Sequence, residues 1–228
     1  MRCVDQAVAE GATSAPENVR LPPAPLRGGP VELLRWLRSR GMLRRGYLPL
    51  FARLLWLRLR FRGRLKTDGV AFVCPGVKIE IGKDAELVLG RWSWLGAGSK
   101  VRVHGGRVAI GAKSVLGEEC TISAWQHVSI GRECIIADRV MFIDFDHNTV
   151  ETERPIRQQG IYKRDVNVGH NVWIGYAAAI LRGVSVGENS VIGTNSVVTR
   201  DVPPNAVVGG APARVLRMRE APEQMRFE

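Results

Sequence analysis

Acidic residues, cysteine, histidine and aromatics are all scarce in this chain, and each shortage excludes something. Its 228 residues carry 33 Lys and Arg against 22 Asp and Glu, a formal net charge of +11. The four cysteines (Cys3, Cys74, Cys120, Cys134) include no C-x-x-C pair and no ligand-like spacing, which argues against a disulfide framework or a structural zinc site. The four histidines (His104, His127, His147, His170) stand twenty or more residues apart, so the sequence predicts no metal centre of the kind that needs closely spaced His ligands. No charge-free apolar run approaches the ~18 residues of a membrane span, and the first thirty residues lack the apolar core of a signal peptide. A reducing, cytoplasmic setting is the expectation. The excess of positive charge fits nucleic acid, a membrane surface or anionic ligands, and its location has to separate them.

What is present is a repeat of six. From Val168 the chain reads Val168-Gly169-His170-Asn171-Val172-Trp173, then blocks opening at Ile174, Ile180, Val186 and Ile192. An aliphatic residue opens each block, Gly usually follows, and a small or aliphatic residue takes the fifth place. Period six is neither helical nor a simple strand alternation; it is the pattern of a parallel β-helix in which each block forms one flat face of a triangular coil. Three blocks make a coil of about eighteen residues, and stacked coils line up Ile on Ile and Val on Val into a core that no single coil could bury. Cys120 and Cys134 fall at inward fifth places and read as small buried hydrophobes.

In chain order, residues 1–30 are rich in Ala, Pro and Gly and read as a disordered tail. Residues 31–66 form a basic amphipathic segment in which Leu, Trp and Phe alternate with Arg, with Glu32 the sole acid. Gly41, Gly46 and Pro49 divide it into two short helices, the second expected to turn extended over Trp56–Arg62. Two readings stand for residues 31–64: a cap on the first coil with Arg in water, or an interfacial segment meeting anionic head groups at the inner face of a membrane. No nucleic-acid-binding motif accompanies the basic run, so nucleic acid is not an expected partner. The repeat domain is assigned to 67–200, beginning raggedly near Val73. It is interrupted at 144–165 by a polar loop that includes Asp144, Asp146 and His147, and a C-terminal extension of 201–228 leaves the prism after Val198. An insertion in a solenoid usually carries function.

Asn171-Val172-Trp173-Ile174-Gly175, Ile192-Gly193-Thr194-Asn195-Ser196-Val197-Val198, Pro203-Pro204 and Gly209-Gly210-Ala211-Pro212-Ala213-Arg214-Val215 together resemble the hexapeptide-repeat acyltransferases. Within them the chain is most similar to the galactoside, maltose and capsule or lipopolysaccharide O-acetyltransferase branch. The resemblance covers about residues 70–217. It implies an all-β fold, a left-handed parallel β-helix assembled as a homotrimer, with acetyl-CoA as co-substrate in the groove between adjacent prisms and no required metal. It also implies that His147 is the general base that takes the acceptor's hydroxyl proton, with Asp144 or Asp146 orienting its ring. Gly175 and the backbone of Tyr176 match the thioester-contacting region, Thr194, Thr199 and Arg200 the pantetheine and adenine path, and Arg214 and Arg217 the phosphates.

The chain also departs from that branch. Gly117, flanked by Glu118 and Glu119, stands where the free-sugar enzymes place an Asn, and the basic Trp/Leu/Arg segment is an addition. Both departures favour an envelope glycan or a lipid-linked sugar as acceptor, with Trp125, Glu118 and Trp173 as pocket candidates and His127 beside them. The alternatives are a non-catalytic trimeric scaffold of envelope assembly, N-acetylation of an amino sugar, and a metalloenzyme on the same fold.

Overall fold

The computed structural model describes residues 47–219. The tail of residues 1–30, the first half of the basic segment, Cys3 and the last nine residues lie outside them.

Helix α1 spans Leu48–Arg60, with Pro49 in its first turn and Arg58 and Arg60 in its last, where cations complement the helix dipole. Leu50, Leu54 and Leu57 are buried. Leu54, Leu57 and Phe61 join the main core, while Leu50 packs with Phe72 and Trp92. The stretch expected to become extended stays helical to Arg60. Burial of the 50/54/57/61 stripe at i, i+3, i+4 spacing outweighs the local alternation of apolar and basic residues.

Beyond α1 the chain winds into a three-faced parallel β-solenoid. The first face holds β1 (Leu65–Thr67), β4 (Ala85–Leu89), β7 (Gly106–Ile110), β10 (His127–Ile130), β15 (Val166–Val168) and β18 (Ser185–Val186). The second holds β2 (Phe72–Val73), β5 (Trp94–Leu95), β8 (Val115–Leu116), β11 (Ile135–Ile136), β16 (Trp173–Ile174) and β19 (Val191–Ile192). The third holds β3 (Lys78–Ile81), β6 (Lys100–Val103), β9 (Thr121–Ala124), β12 (Met141–Ile143), β17 (Ala179–Ile180) and β20 (Val197–Val198). Like side chains stack along the axis. Leu89, Ile110, Ile130, Val168 and Val186 are in register on the first face, Ile136, Ile174, Ile192 and Val208 on the second, and all are buried. Each coil thus supplies the apolar surface that its neighbour needs.

The coils are unequal, and the inequality has one location. Lys78, Lys100, Thr121, Met141, Ala179 and Val197 are successive Cα partners on the third face, so the coils take 22, 21, 20, 38 and 18 residues. The step from second to third face is six residues in every coil, as from Trp94 to Lys100 and from Trp173 to Ala179. All the excess therefore collects at the corner between the third face and the next first face. Its residues there are Gly82–Asp84, then His104-Gly105, then Trp125-Gln126, then the 144–165 insertion. This explains the ragged start of the repeat: the solenoid begins at Leu65, with its period masked by extra residues at one corner.

The far end also differs from expectation. Val202 bridges Val186, and β21 (Ala206–Gly210) adds to β19 before β22 (Ala213–Met218) returns antiparallel to it. The prism continues past Val198 because Val202, Ala206 and Val208 have apolar surface to bury on the coil beneath. Cys74, Cys120 and Cys134 are buried and form no disulfide among the described residues. Cys120 donates through Sγ to the Ala137 carbonyl and Cys134 to that of Gly169, each at 3.2 Å.

Candidate active site

The 144–165 insertion is an antiparallel hairpin of β13 (Phe145–His147) and β14 (Ile161–Lys163), with His147 opposite Ile161. Three sets of contacts hold it. At its base the fully buried Asp144 carboxylate accepts the backbone N–H groups of Trp125 and Gln126, both at 2.8 Å, and its carbonyl accepts Arg164 N–H. On its flank Asp146 Oδ2 accepts from Arg182 Nε at 2.5 Å, and the Arg182 guanidinium lies 4.6 Å from the Tyr162 ring centroid. At its tip the Gln159 amide donates to the carbonyls of Glu151 and Arg154 and accepts Glu151 N–H, closing the loop on itself.

His147 is exposed, and its ring makes no hydrogen bond among the described residues. Either ring nitrogen is therefore available to an incoming group. The expectation that Asp144 or Asp146 orients the ring is not met by the geometry: one carboxylate is spent on the Trp125–Gln126 backbone and the other on Arg182. Their roles are to fix the hairpin that carries His147.

Directly beneath the hairpin lies an aromatic shelf. The His104 and Trp125 rings stack at 4.9 Å with a 17° interplanar angle, and Phe145 meets Trp125 edge-on at 6.4 Å. Trp125 keeps 39% of its surface exposed. His127, one step further on β10, is half-buried in register with Arg107. Thr199 and Arg200 are exposed on the same corner, one coil beyond Arg182.

A second group of candidates occupies the corner between the second and third faces. Glu118, Asp138, Tyr176 and Thr194 stack there, coil upon coil. Gly175 is buried and its N–H is used by the Ile192 carbonyl. The Tyr176 N–H has no acceptor among the described residues. The equivalent N–H two coils further down the column, that of Glu118, is taken by Asp138 Oδ1 at 2.8 Å, so this position in the coil can present a backbone donor to an anionic oxygen. Arg139 lies 5.8 Å from the Tyr176 ring and pairs with Glu119 at 2.7 Å. Glu119, the strongest influence on that guanidinium, raises its pKa.

The remaining candidates are apart from both groups. Trp173 is 54% exposed and faces outward on the second face beside Ile135, itself 61% exposed. Arg214 and Arg217 lie on the exposed β22, opposite Gly209 and Val207. Within one protomer, the third face separates the His147 corner from the Tyr176 corner. Sequence reading missed Arg182, Gln159, Asp138 and His104 as supports of the site. Only their common corner positions could have flagged them, and the uneven coil lengths conceal that register. Among the described residues no three His, Cys, Asp or Glu side chains converge as metal ligands.

Residues 165–200 match the model of the hexapeptide repeat of succinyl-transferase. A probable acetyltransferase of Mycobacterium tuberculosis is 34% identical over 191 residues, covering 82% of this chain and 62% of that protein. The chain is similar to members of the hexapeptide-repeat acetyltransferase family. Within it, the galactoside O-acetyltransferase of Escherichia coli is 37% identical over 115 residues, 50% of this chain and 55% of that one. A hexapeptide-repeat acetyltransferase of Vibrio cholerae, solved with acetyl coenzyme A, superposes with a TM-score of 0.54 at 29% identity, over 58% of this chain and 71% of that one. The chain spans between half and two thirds of the length of these two curated family members.

Proposed function

We propose that the protein transfers an acetyl group from acetyl-CoA to a hydroxyl of a sugar within an envelope glycan or glycolipid, with His147 as general base. The observation that carries this reading is the construction around His147: an exposed, unpartnered imidazole on a hairpin fixed by a buried carboxylate, an ion pair and a glutamine clamp. Acetyl-CoA would supply an activated acyl carbon with a thiolate leaving group. A His147 ring nitrogen accepts the proton of the acceptor hydroxyl as its oxygen attacks that carbon, and returns a proton to the departing sulfur. The Tyr176 N–H, without an acceptor among the described residues, donates to the carbonyl oxygen as it gains charge. Arg214 and Arg217 are exposed guanidiniums suited to phosphate, and Thr194, Thr199 and Arg200 line the approach.

Because His147 and Tyr176 occupy different corners of one prism, the reaction requires one protomer's hairpin to meet another's Tyr176 corner, and a homotrimer supplies that arrangement. The outward apolar pair Trp173 and Ile135 lies on the second face beside the Tyr176 corner and would be covered where that face meets the neighbouring protomer. Trp125 offers an aromatic surface on which the apolar face of a sugar ring can stack.

The test is release of free CoA thiol from acetyl-CoA with a panel of sugars, amino sugars and glycolipids, comparing wild type with His147→Ala. Acceptor-dependent release that falls by ~10²–10⁴ in the variant supports the reading. Release with amino sugars alone would make it an N-acetyltransferase. No release, together with no acetyl-CoA binding, would leave a scaffold.

A further inference from the structure

Helix α1 buries one apolar stripe and exposes another. At about 100° per residue, Leu50, Leu54 and Leu57 point into the first coil, while Leu48, Ala52, Leu55, Trp56 and Leu59 fall on the opposite side. The exposed stripe is large: Leu48 is 64% exposed, Leu55 60%, Trp56 51% and Leu59 68%. Capping the solenoid requires only the buried stripe, so the outer one is unexplained by folding. Scattered exposed leucines are ordinary, but four large apolar side chains on one face of a 13-residue helix are a patch.

The flanks of that patch are cationic. Arg60 lies on one side, its guanidinium 5.2 Å from the Trp56 ring centroid, and Arg58 on the other, with Arg62 just beyond the helix. The helix contains no acidic residue, and no carboxylate pairs with Arg58, Arg60 or Arg62 among the described residues. Arg53 and Arg64, by contrast, are turned inward onto the carbonyls of Val77 and Ile81. Two kinds of arginine are thus distinguishable on one short segment: those that tie the helix to the prism and those left beside the apolar stripe. No described helix is long and apolar enough to cross a membrane.

We infer that the outer face of α1 is a docking surface for an anionic lipid bilayer, on which the helix lies in the interfacial plane. Leu55, Trp56 and Leu59 enter the acyl boundary, and Arg58, Arg60 and Arg62 reach sideways to lipid phosphates. Apolar area and electrostatic attraction act together in such helices, each surface arginine adding attraction that salt screens. Because α1 closes the first coil, the prism axis would end on the membrane, with the His147 corner held several coils above it. A protein partner would want carboxylates for these arginines and a groove for the leucines. The absence of any acid along the helix and the arginines on both flanks of one apolar stripe favour a lipid surface. This inference does not depend on the acetyltransferase reading, and its test needs no turnover.

The experiment is co-sedimentation of the full chain with vesicles of phosphatidylcholine alone or with about a third phosphatidylglycerol, at low and high salt. The wild type should bind the anionic vesicles, weaken sharply in high salt and bind the zwitterionic ones poorly. A Leu55→Ser/Trp56→Ser/Leu59→Ser variant and an Arg58→Glu/Arg60→Glu/Arg62→Glu variant should each lose binding by about tenfold or more. Both sets of side chains are exposed, so a circular dichroism melt should report unchanged folding. Absence of binding by wild type overturns the proposal. So does binding that survives the triple serine variant, which would assign the membrane contact to another part of the chain. A change of oligomeric state in that variant, seen by light scattering, would assign the face to a second copy and likewise overturn it.

Discussion

Asp144 and Trp125 are joined through charge rather than through rings: the buried carboxylate of the first receives the backbone N–H of the second at 2.8 Å, and that of Gln126 at the same distance. The hairpin bearing His147 is thereby locked to the aromatic shelf one coil below. Hydrogen bonds to a charged acceptor contribute about 1.5–3 kcal/mol each. An Asn keeps one acceptor but turns an NH₂ toward the second donor, so Asp144→Asn should lower stability by about 2–3 kcal/mol. Urea denaturation measures this, and hydrogen exchange should show the Trp125 and Gln126 amides losing protection. His147→Ala, in contrast, removes an exposed, unbonded ring and should leave the denaturation curve in place.

Arg182 holds the same hairpin from the side, yet its energetic signature should be different. Its side chain is 32% exposed and that of Asp146 51%, so the pair is well solvated and worth under about 1 kcal/mol. Arg182→Ala should therefore melt like wild type. In the proposed acetyl transfer the freed hairpin misplaces His147, and kcat should fall about tenfold or more with little change in acetyl-CoA KM. Arg182→Lys should recover only part, because a lysine cannot both bond Asp146 and cover the Tyr162 ring in the same way. A melting temperature lowered in proportion to activity would show a merely structural role.

These contacts also mark where sequence reading stops. Period six was readable from Val168 onward because each face there takes six residues. It was blurred before that because the corner at His104 and Trp125 absorbs two to four extra. The insertion itself was legible as a break in the repeat, and His147 as its only histidine. Asp144 and Asp146 were not distinguishable, since both flank the His at short range. Only the fold shows that one points down to a backbone 18 residues earlier and the other across to an arginine 36 residues later. Likewise, the amphipathic character of 31–64 was legible, but the two-sidedness of α1 was not. Which stripe a helix buries depends on the coil it meets.

Gly106 should be far less replaceable than Gly160, although both have positive φ. Gly106 (φ 64°) opens the corner beneath Gln126, where an added Cβ would collide with the Gln126 carbonyl. That carbonyl accepts Arg107 N–H in the ladder and cannot withdraw. Gly160 (φ 79°), at the hairpin tip, has nothing within 4 Å of an added Cβ. Gly160→Ala should cost only left-handed strain, about 1 kcal/mol. Gly106→Ala adds overpacking of 1–3 kcal/mol or so on top. Paired thermal melts check the difference; equal shifts would refute the account.

The buried thiols make the fold sensitive to alkali. Burial pushes the Cys120 thiol up from 9.0 to about 12, and burial raises that of Cys134 as well. A folded-state pKa above the unfolded one means that the unfolded chain loses its proton first. The stability linked to the neutral Cys120 thiol is complete below pH 9 and declines as pH rises from there toward 12. Within that window the slope for one thiol approaches about 1.4 kcal/mol per pH unit. Lysines and tyrosines titrate there too, so the informative quantity is the wild-type denaturation free energy minus that of Cys120→Ala, followed from pH 8 upward. It should be flat at first and then fall with the slope of a single proton. In the native protein at pH 8, Cys74, Cys120 and Cys134 should also resist a disulfide exchange reagent until denaturant is added. Rapid native-state labelling of Cys120 would mean that the coil around Ala137 opens readily, contrary to the packing described.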